Sequence, residues 1–382
     1  MTGGVLALGG YGAFGTRLST LLARSPDLPI FIAGRRLHAA EALARKLRPA
    51  AVHAVALDRD APDTIAAFLR EKRPTTVIDA VGPFQGRDYR LPELAAMHGA
   101  HSLDLADDRT YVAGITALAD KARSRDVLIV SGASTVPALS GAVVDRLLEQ
   151  LDTLESIDIG LSPGNKSPRG LSTVRSVMSY CGKAVPAVAR AHLATRRGWG
   201  GLVLHRYPAP VGRRWLSNVD VPETALLPLR YPGIESIETR AGLELGVLHL
   251  GLSVLSAFVA RGLIKSLVPW SRALKLAASS LHAFGSDAGA MHVVVEGSRD
   301  GRRYRRHWAI VTEHDHGPFI PVTAASVLAK RLSRVSGYAP LPERGARPCL
   351  GLVGLDEFMR ELDGYAIRTV MYDEQLPDRP AP

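Results

Sequence analysis

The chain has 382 residues, 46 % of them hydrophobic and 22 % charged, a balance that excludes an intrinsically disordered protein and leaves room for two domains. Its net charge of +10 admits nucleic acid, an anionic membrane surface or an acidic ligand as partner. Aromatics are only 6 % and no nucleic-acid-binding module is present, so nucleic acid is not expected.

The first strand is expected over Val5–Leu8, followed at once by Gly9-Gly10-Tyr11-Gly12-Ala13-Phe14-Gly15 and a helix to about Arg24. Strand before and helix after make Gly10, Gly12 and Gly15 a dinucleotide fingerprint. Gly10 is expected to permit the tight turn, Gly12 the approach of a pyrophosphate, and Gly15 close packing of helix on strand. Further strands follow at 30–33, 51–57, 76–81, 102–105 and 127–130, with helices near 38–47, 62–72, 92–98 and 110–124 between them. Short β-branched runs alternating with helices of this length mean a parallel sheet, here of six strands. Pro62 sits near a helix start, where its missing N–H costs nothing.

After Ser131 the rhythm changes. A loop over 132–137 leads to a helix over 138–151 and a strand over 156–161. The polar loop Ser162–Gly170 then precedes a helix from Ser172, and 199–232 reads as loops and short strands. Leu245–Ala260 is the most apolar stretch and is followed by Lys265, Trp270, Arg272 and Lys275. It reads as a buried or dimer-interface helix, as a helix lying on a membrane, or as a span, although it is shorter than the ~20 apolar residues a span needs. A hairpin is expected over 292–311 around Asp300-Gly301. Helices near 324–334 and 355–362, a strand over 365–372 and a proline-rich tail over 376–382 complete the chain.

The chemistry gathers in the first part. Strand two ends in Gly34-Arg35-Arg36, where an NAD enzyme usually carries an acid for the ribose 2′-hydroxyl. Two guanidiniums there would attract a 2′-phosphate, which favours NADP over NAD. Asp58, after strand three, is a candidate to face the adenine or to cap the next helix. Val81-Gly82-Pro83 follows strand four at the edge where such sheets bind ligands and is a candidate for the nicotinamide half. Asp104 and Asp107 end strand five at the same edge and are the candidate acid/base groups, with Ser134 and Thr135 as hydrogen-bond donors. Asp107 or Asp108 is also a candidate helix cap. The segment Gly132–Val136 lacks the second glycine of a nucleophile elbow.

Lys166 and Arg169 before the helix at Ser172 could hold an anion, or Gly170 could be a plain helix start. His314-Asp315-His316 fits a turn better than a ligand pair, and no metal is expected. Arg302–Arg306 places cations on both faces of a strand. Cys181 and Cys349 make no disulfide framework, and no basic stretch precedes the first strand, so a cytoplasmic protein, in contact with a membrane at most peripherally through 245–275, is expected.

Together the fingerprint Gly10–Gly15, Ala33-Gly34-Arg35, Asp79–Phe84, His101–Asp107 and Gly132–Ser140 resemble the saccharopine dehydrogenase-like NAD(P)-binding oxidoreductases. The resemblance covers roughly the first 140 residues and is looser beyond. It implies an α/β chain: a Rossmann doubly wound parallel sheet over 1–132, a mixed α/β substrate and dimerisation domain over 133–375, and a flexible tail over 376–382. It further implies a homodimer and hydride transfer to or from a C=N or C=C bond of a small-molecule or lipid-linked substrate. Two departures stand out: Asp107-Asp108 replaces a common Gly-Glu, and Ser134-Thr135 replaces Asp-Ser. The second removes a carboxylate near the expected substrate. An alternative reading is a membrane-associated scaffold or sensor that binds NADP without turnover.

Overall fold

The computed structural model describes residues 3–338 and 343–377. The chain divides into two units, Met1–Leu139 with Pro318–Leu362, and Ser140–Gly317 with Asp363–Pro382. This differs from a single boundary after 132, because 318–362 returns to the first unit.

The first unit carries β1 (Val5–Leu8), β2 (Ile30–Gly34), β3 (Val52–Ala56), β4 (Thr76–Asp79), β5 (His101–Asp104) and β6 (Leu128–Ser131). Its helices are α1 (Ala13–Leu22), α2 (Leu37–Lys46), α3 (Pro62–Lys72), α4 (Arg90–Met97), α5 (Arg109–Gly114) and α6 (Ala119–Ser124). The strands are all parallel, in the order β6-β5-β4-β1-β2-β3. The order reverses between β1 and β4, which fixes where a doubly wound sheet binds its ligand. β1, β4 and β5 are buried at every position, as a sheet covered on both faces requires.

A seventh strand, β15 (Gly345–Pro348), pairs parallel with β6 and extends the six expected from sequence. It arrives with α12 (Ile320–Leu332) and α13 (Leu355–Glu361). Twelve of the thirteen residues of α12 are buried, and the helix packs beside α1. The helix expected over 110–124 is instead broken into α5, a 3-10 turn at Ile115–Leu118, and α6. The break falls at Gly114, where a Cβ would lie 2.6 Å from the Tyr89 hydroxyl.

The second unit opens with α7 (Ser140–Leu148) and is built on a mixed sheet. Its strands are β7 (Thr153–Ser162), β8 (Ala184–Ala189), β9 (His192–Arg197), β10 (Val203–Arg206), β11 (Arg213–Asn218), β12 (Ser236–Ala241), β13 (Gly289–Arg299), β14 (Arg302–Thr312) and β16 (Ile367–Gln375). The order is β10-β11-β12-β7-β13-β14-β16, with β8 and β9 attached to β12. Its further helices are α8 (Leu171–Tyr180), α9 (Glu223–Arg230), α10 (Gly246–Ala260) and α11 (Ser271–Ser280). The β13–β14 hairpin turns on Asp300-Gly301, both in the left-handed region, as Asp-Gly allows. The β8–β9 hairpin turns on Arg190-Ala191 in the same conformation but without glycine, so it carried no turn signal. α9, with Pro228 inside it, lies in the stretch expected as loops and short strands. Of the tail expected over 376–382, residues 378–382 lie outside the described residues.

Candidate functional site

The turn from β1 into α1 sits at the switch between β1 and β4. Gly9 rather than Gly10 takes the left-handed turn, at φ +73°, and a Cβ there would strike Val81 Cγ2 at 2.8 Å. The first turn therefore packs on the loop after β4. Gly10 is closed in by the Ala7 carbonyl and Ile32. Ser19 Oγ, buried, donates to the Gly10 carbonyl at 2.9 Å and fixes the turn from the helix side. Gly15 has the tightest position, since a Cβ would fall 2.0 Å from the Gly9 carbonyl oxygen. α1 begins with Gly12 as its N-cap, no side chain caps it, and its first turn holds no acid. Its leading N–H groups and positive dipole end thus face the glycine turn, the arrangement that receives a phosphate.

Tyr11 reaches the end of β2. Its hydroxyl accepts from the Arg36 amide at 2.8 Å, and its ring lies so close to Gly34 that a Cβ would meet it at 2.5 Å. The Arg36 guanidinium stands 5.6 Å from the Tyr11 ring centroid. Arg35 and Arg36 are both exposed, side by side at the carboxyl end of the strand. The nucleotide-binding candidates Gly10 through Gly15, Arg35, Arg36 and Val81 are thereby gathered at one edge.

The loops after β3 and β4 meet in an ion network. Arg59 Nε donates to Asp79 Oδ2 at 2.9 Å, with the two side chains 7 % and 3 % exposed. Asp79 Oδ1 accepts from the Val81 amide at 3.0 Å and so shapes Val81-Gly82-Pro83. Burial pulls the Arg59 guanidinium down, but Asp79, Tyr111 and Asp60 together outweigh it and hold the group above its ordinary value. Arg87 bridges Asp60 at 2.7 Å and the Pro83 carbonyl at 3.0 Å. Asp58 does not cap α3, whose N-cap is Ala61; it accepts from the Asp60 amide at 3.1 Å. The sequence singles out Asp58, whereas Arg59 carries the network. A lone cation between two acids, opposite a strand ending in Asp79, was the available signal.

Asp104 takes a different place from a free acid/base. Its Oδ1 accepts from Ser131 Oγ at 2.9 Å, Gly132 N at 2.8 Å and Ala106 N at 3.0 Å, and the residue is 5 % exposed. Burial pushes its carboxyl up to about 7 against these three donors. It ties the ends of β5 and β6 together and holds the Gly132 turn, which leads to buried Ser134 and half-buried Thr135. Asp107 is half-buried, and Gln85 Nε2 of the loop after β4 donates to it at 3.4 Å. Asp108, not Asp107, caps α5 by accepting from the Tyr111 amide at 2.8 Å.

The second unit holds a cluster that the sequence did not announce. His205 and His292 stack at 3.9 Å between centroids, and His292 Nδ1 lies 3.1 Å from the Tyr207 hydroxyl. His292 Nε2 faces Asp158 at 3.7 Å, and Arg240 binds the other Asp158 oxygen at 2.5 Å. Burial would raise the Asp158 carboxyl, but His292 and Arg240 hold it below its ordinary value. Residues from four strands meet there, at a spacing invisible along the chain. Arg169 donates to the Gly164 carbonyl at 3.0 Å, and Gly170 is the N-cap of α8. Among the described residues, no group of three or more His, Cys, Asp or Glu is placed to hold a metal ion.

Residues 5–130 match the family model described as "Saccharopine dehydrogenase NADP binding domain". No curated protein matches the sequence. Among solved structures, the fold is similar to apo saccharopine dehydrogenase (L-Glu forming) from Saccharomyces cerevisiae, with a TM-score of 0.69 at 13 % identity over 97 % of this chain and 100 % of that one. Amine dehydrogenase from Mycobacterium smegmatis aligns at a TM-score of 0.45 and 10 % identity over 92 % of this chain and 95 % of that one. A myo-inositol dehydrogenase from Corynebacterium glutamicum aligns at 0.45 and 12 % over 100 % of both chains. The glycine turn, the uncapped helix start and the matched domain agree: residues 5–130 form an NAD(P)-binding domain of the saccharopine dehydrogenase type.

Proposed function

We propose that the chain is an NADP-dependent oxidoreductase that transfers hydride to or from a C=N or C=C bond. The matched domain and the fold support the oxidoreductase class. The observation that carries the cofactor choice is the exposed Arg35-Arg36 pair at the end of β2, where no carboxylate stands, held there by Tyr11. In this reading the turn Gly10–Gly15 and the start of α1 hold the pyrophosphate, and Arg35 and Arg36 bind the 2′-phosphate. Asp58 lies toward the adenine, and Val81-Gly82-Pro83 toward the nicotinamide half. The nicotinamide, when bound, supplies the hydride chemistry. The chain's own residues orient and protonate: Asp79 and Arg59 fix the Val81 loop, Asp104 sets the Gly132–Ser134 turn, and Asp107 and Ser134 are the groups left to handle a proton.

Arg35→Ala should weaken NADPH binding by about 10- to 100-fold, the worth of a charge-assisted bidentate contact, and leave NADH binding nearly unchanged. Equal losses for both nucleotides, read by titration calorimetry, would show that Arg35 does not read the phosphate. The three donors on Asp104 Oδ1, which commit that oxygen to holding the turn, favour one competing reading, a nucleotide-binding scaffold without turnover. Reproducible NADPH oxidation with any member of a panel of imines, ketones and enoyl thioesters would exclude it.

A further inference from the structure

From Leu245 to Phe284 the chain contains no aspartate or glutamate and four fixed cations, Arg261, Lys265, Arg272 and Lys275. The inner face of α10 is fully engaged. Leu252 and Val259 join Met178, Cys181 and Trp199 in a buried cluster, and Ser256 Oγ donates to the Gly198 carbonyl at 2.8 Å. The outer face is bare. Val247, Leu250, Val254 and Phe258, at helical spacing, are all exposed. The chain that follows adds Leu263 and Trp270, 71 % and 61 % exposed, then Leu276 and Phe284, 73 % and 75 % exposed. On α11, Arg272 and Leu276 lie four residues apart on the same outward side. Exposed apolar side chains interspersed along the chain with cations, with a tryptophan among them, are not an ordinary water-facing surface.

We infer that the outer face of α10 and α11 docks on an anionic lipid bilayer, lying in the plane of the interface. Length excludes a crossing: the 15 residues of α10 span about 22 Å against a hydrocarbon core of about 30 Å. Among the described residues no helix is long and apolar enough to cross a membrane. Charge decides the occupant. A second copy seated face to face would set four cations against four with no acid between them, whereas acidic headgroups neutralise them while the acyl boundary receives Phe258, Trp270 and Leu276. This inference does not depend on the proposed reaction.

The test is co-sedimentation of the full chain with phosphatidylcholine vesicles, with and without phosphatidylglycerol, at low and high salt. The wild type should pellet with the anionic vesicles, less so at high salt, and not with phosphatidylcholine alone. Each cation near the surface is worth about fivefold in partition, so Arg272→Glu with Lys275→Glu should reduce it by at least tenfold. Phe258→Ser with Trp270→Ser should also reduce it, while unchanged circular dichroism and unchanged NADPH binding show that the fold is intact. Absence of pelleting, equal pelleting with neutral vesicles, or indifference to the charge reversals would overturn the inference. So would a fall in mass from dimer to monomer in the serine variant with vesicle binding unchanged, which would assign the face to a second copy.

Discussion

Gly15 has no room for a side chain, because a Cβ 2.0 Å from the Gly9 carbonyl must push α1 off the turn. Gly15→Ala should destabilise the first unit by about 1–3 kcal/mol as overpacking and abolish nucleotide binding, read by thermal unfolding and NADPH titration. Wild-type binding in the variant would mean the helix does not need this approach. At the same scale, the sequence assigns the tight turn to Gly10, whereas Gly9 adopts it. Spacing marks the glycines as a group; it does not show which one bears a positive φ. Asp104 offers a second test. Its folded carboxyl is raised from 3.8 to about 7, so the folded chain holds a proton that the unfolded chain releases above about pH 4. That stability is complete below the unfolded value and is lost as pH rises through about 7. Burial presses His101, His205 and His249 down to about 4, which makes stability rise with pH over part of the same range. The difference between variant and wild type is therefore the readout. The melting temperature of Asp104→Asn relative to wild type should climb between pH 5 and pH 8, and a constant difference would contradict the assignment.

At the scale of elements, the alternating strands and helices of 5–131 were legible because each buried strand is a short apolar run and each helix has a distinct start. The returning segment was not. β15 has only four residues, and its sequence, Gly-Ala-Arg-Pro, has no strand signature. α12 read as a helix, but nothing local states which sheet it covers. The more deeply buried of its two buried cations marks the answer: Lys330 Nζ bonds Glu361 Oε1 at 2.6 Å, and Ser326 Oγ and Tyr338 Oη donate to the same carboxylate. Burial lowers the Lys330 ammonium, and Glu361 opposes that. Glu361→Gln should leave this charge buried and uncompensated, destabilising the first unit by about 3–5 kcal/mol in a urea titration. A loss under about 1 kcal/mol would show the pair to be dispensable. A chain ending at residue 317 lacks both β15 and α12, so it should lose cooperative unfolding of the first unit and NADPH binding together. Retention of both would show that the six-strand sheet stands alone.

For the molecule as a whole, the class of fold followed from the sequence while the substrate did not. A nucleotide site is built from a contiguous turn and strand ends, so spacing reveals it. The cluster of His205, His292, Asp158 and Arg240 draws on β10, β13, β7 and β12, and only the folded sheet assembles it. In the proposed function, two guanidiniums at the end of β2 read a phosphate. Titration of the wild-type chain with NADPH and with NADH, at one ionic strength, tests this most directly. NADPH should bind at least tenfold more tightly, with the preference shrinking as salt is raised. Equal affinity for the two, or a preference for NADH, would contradict it.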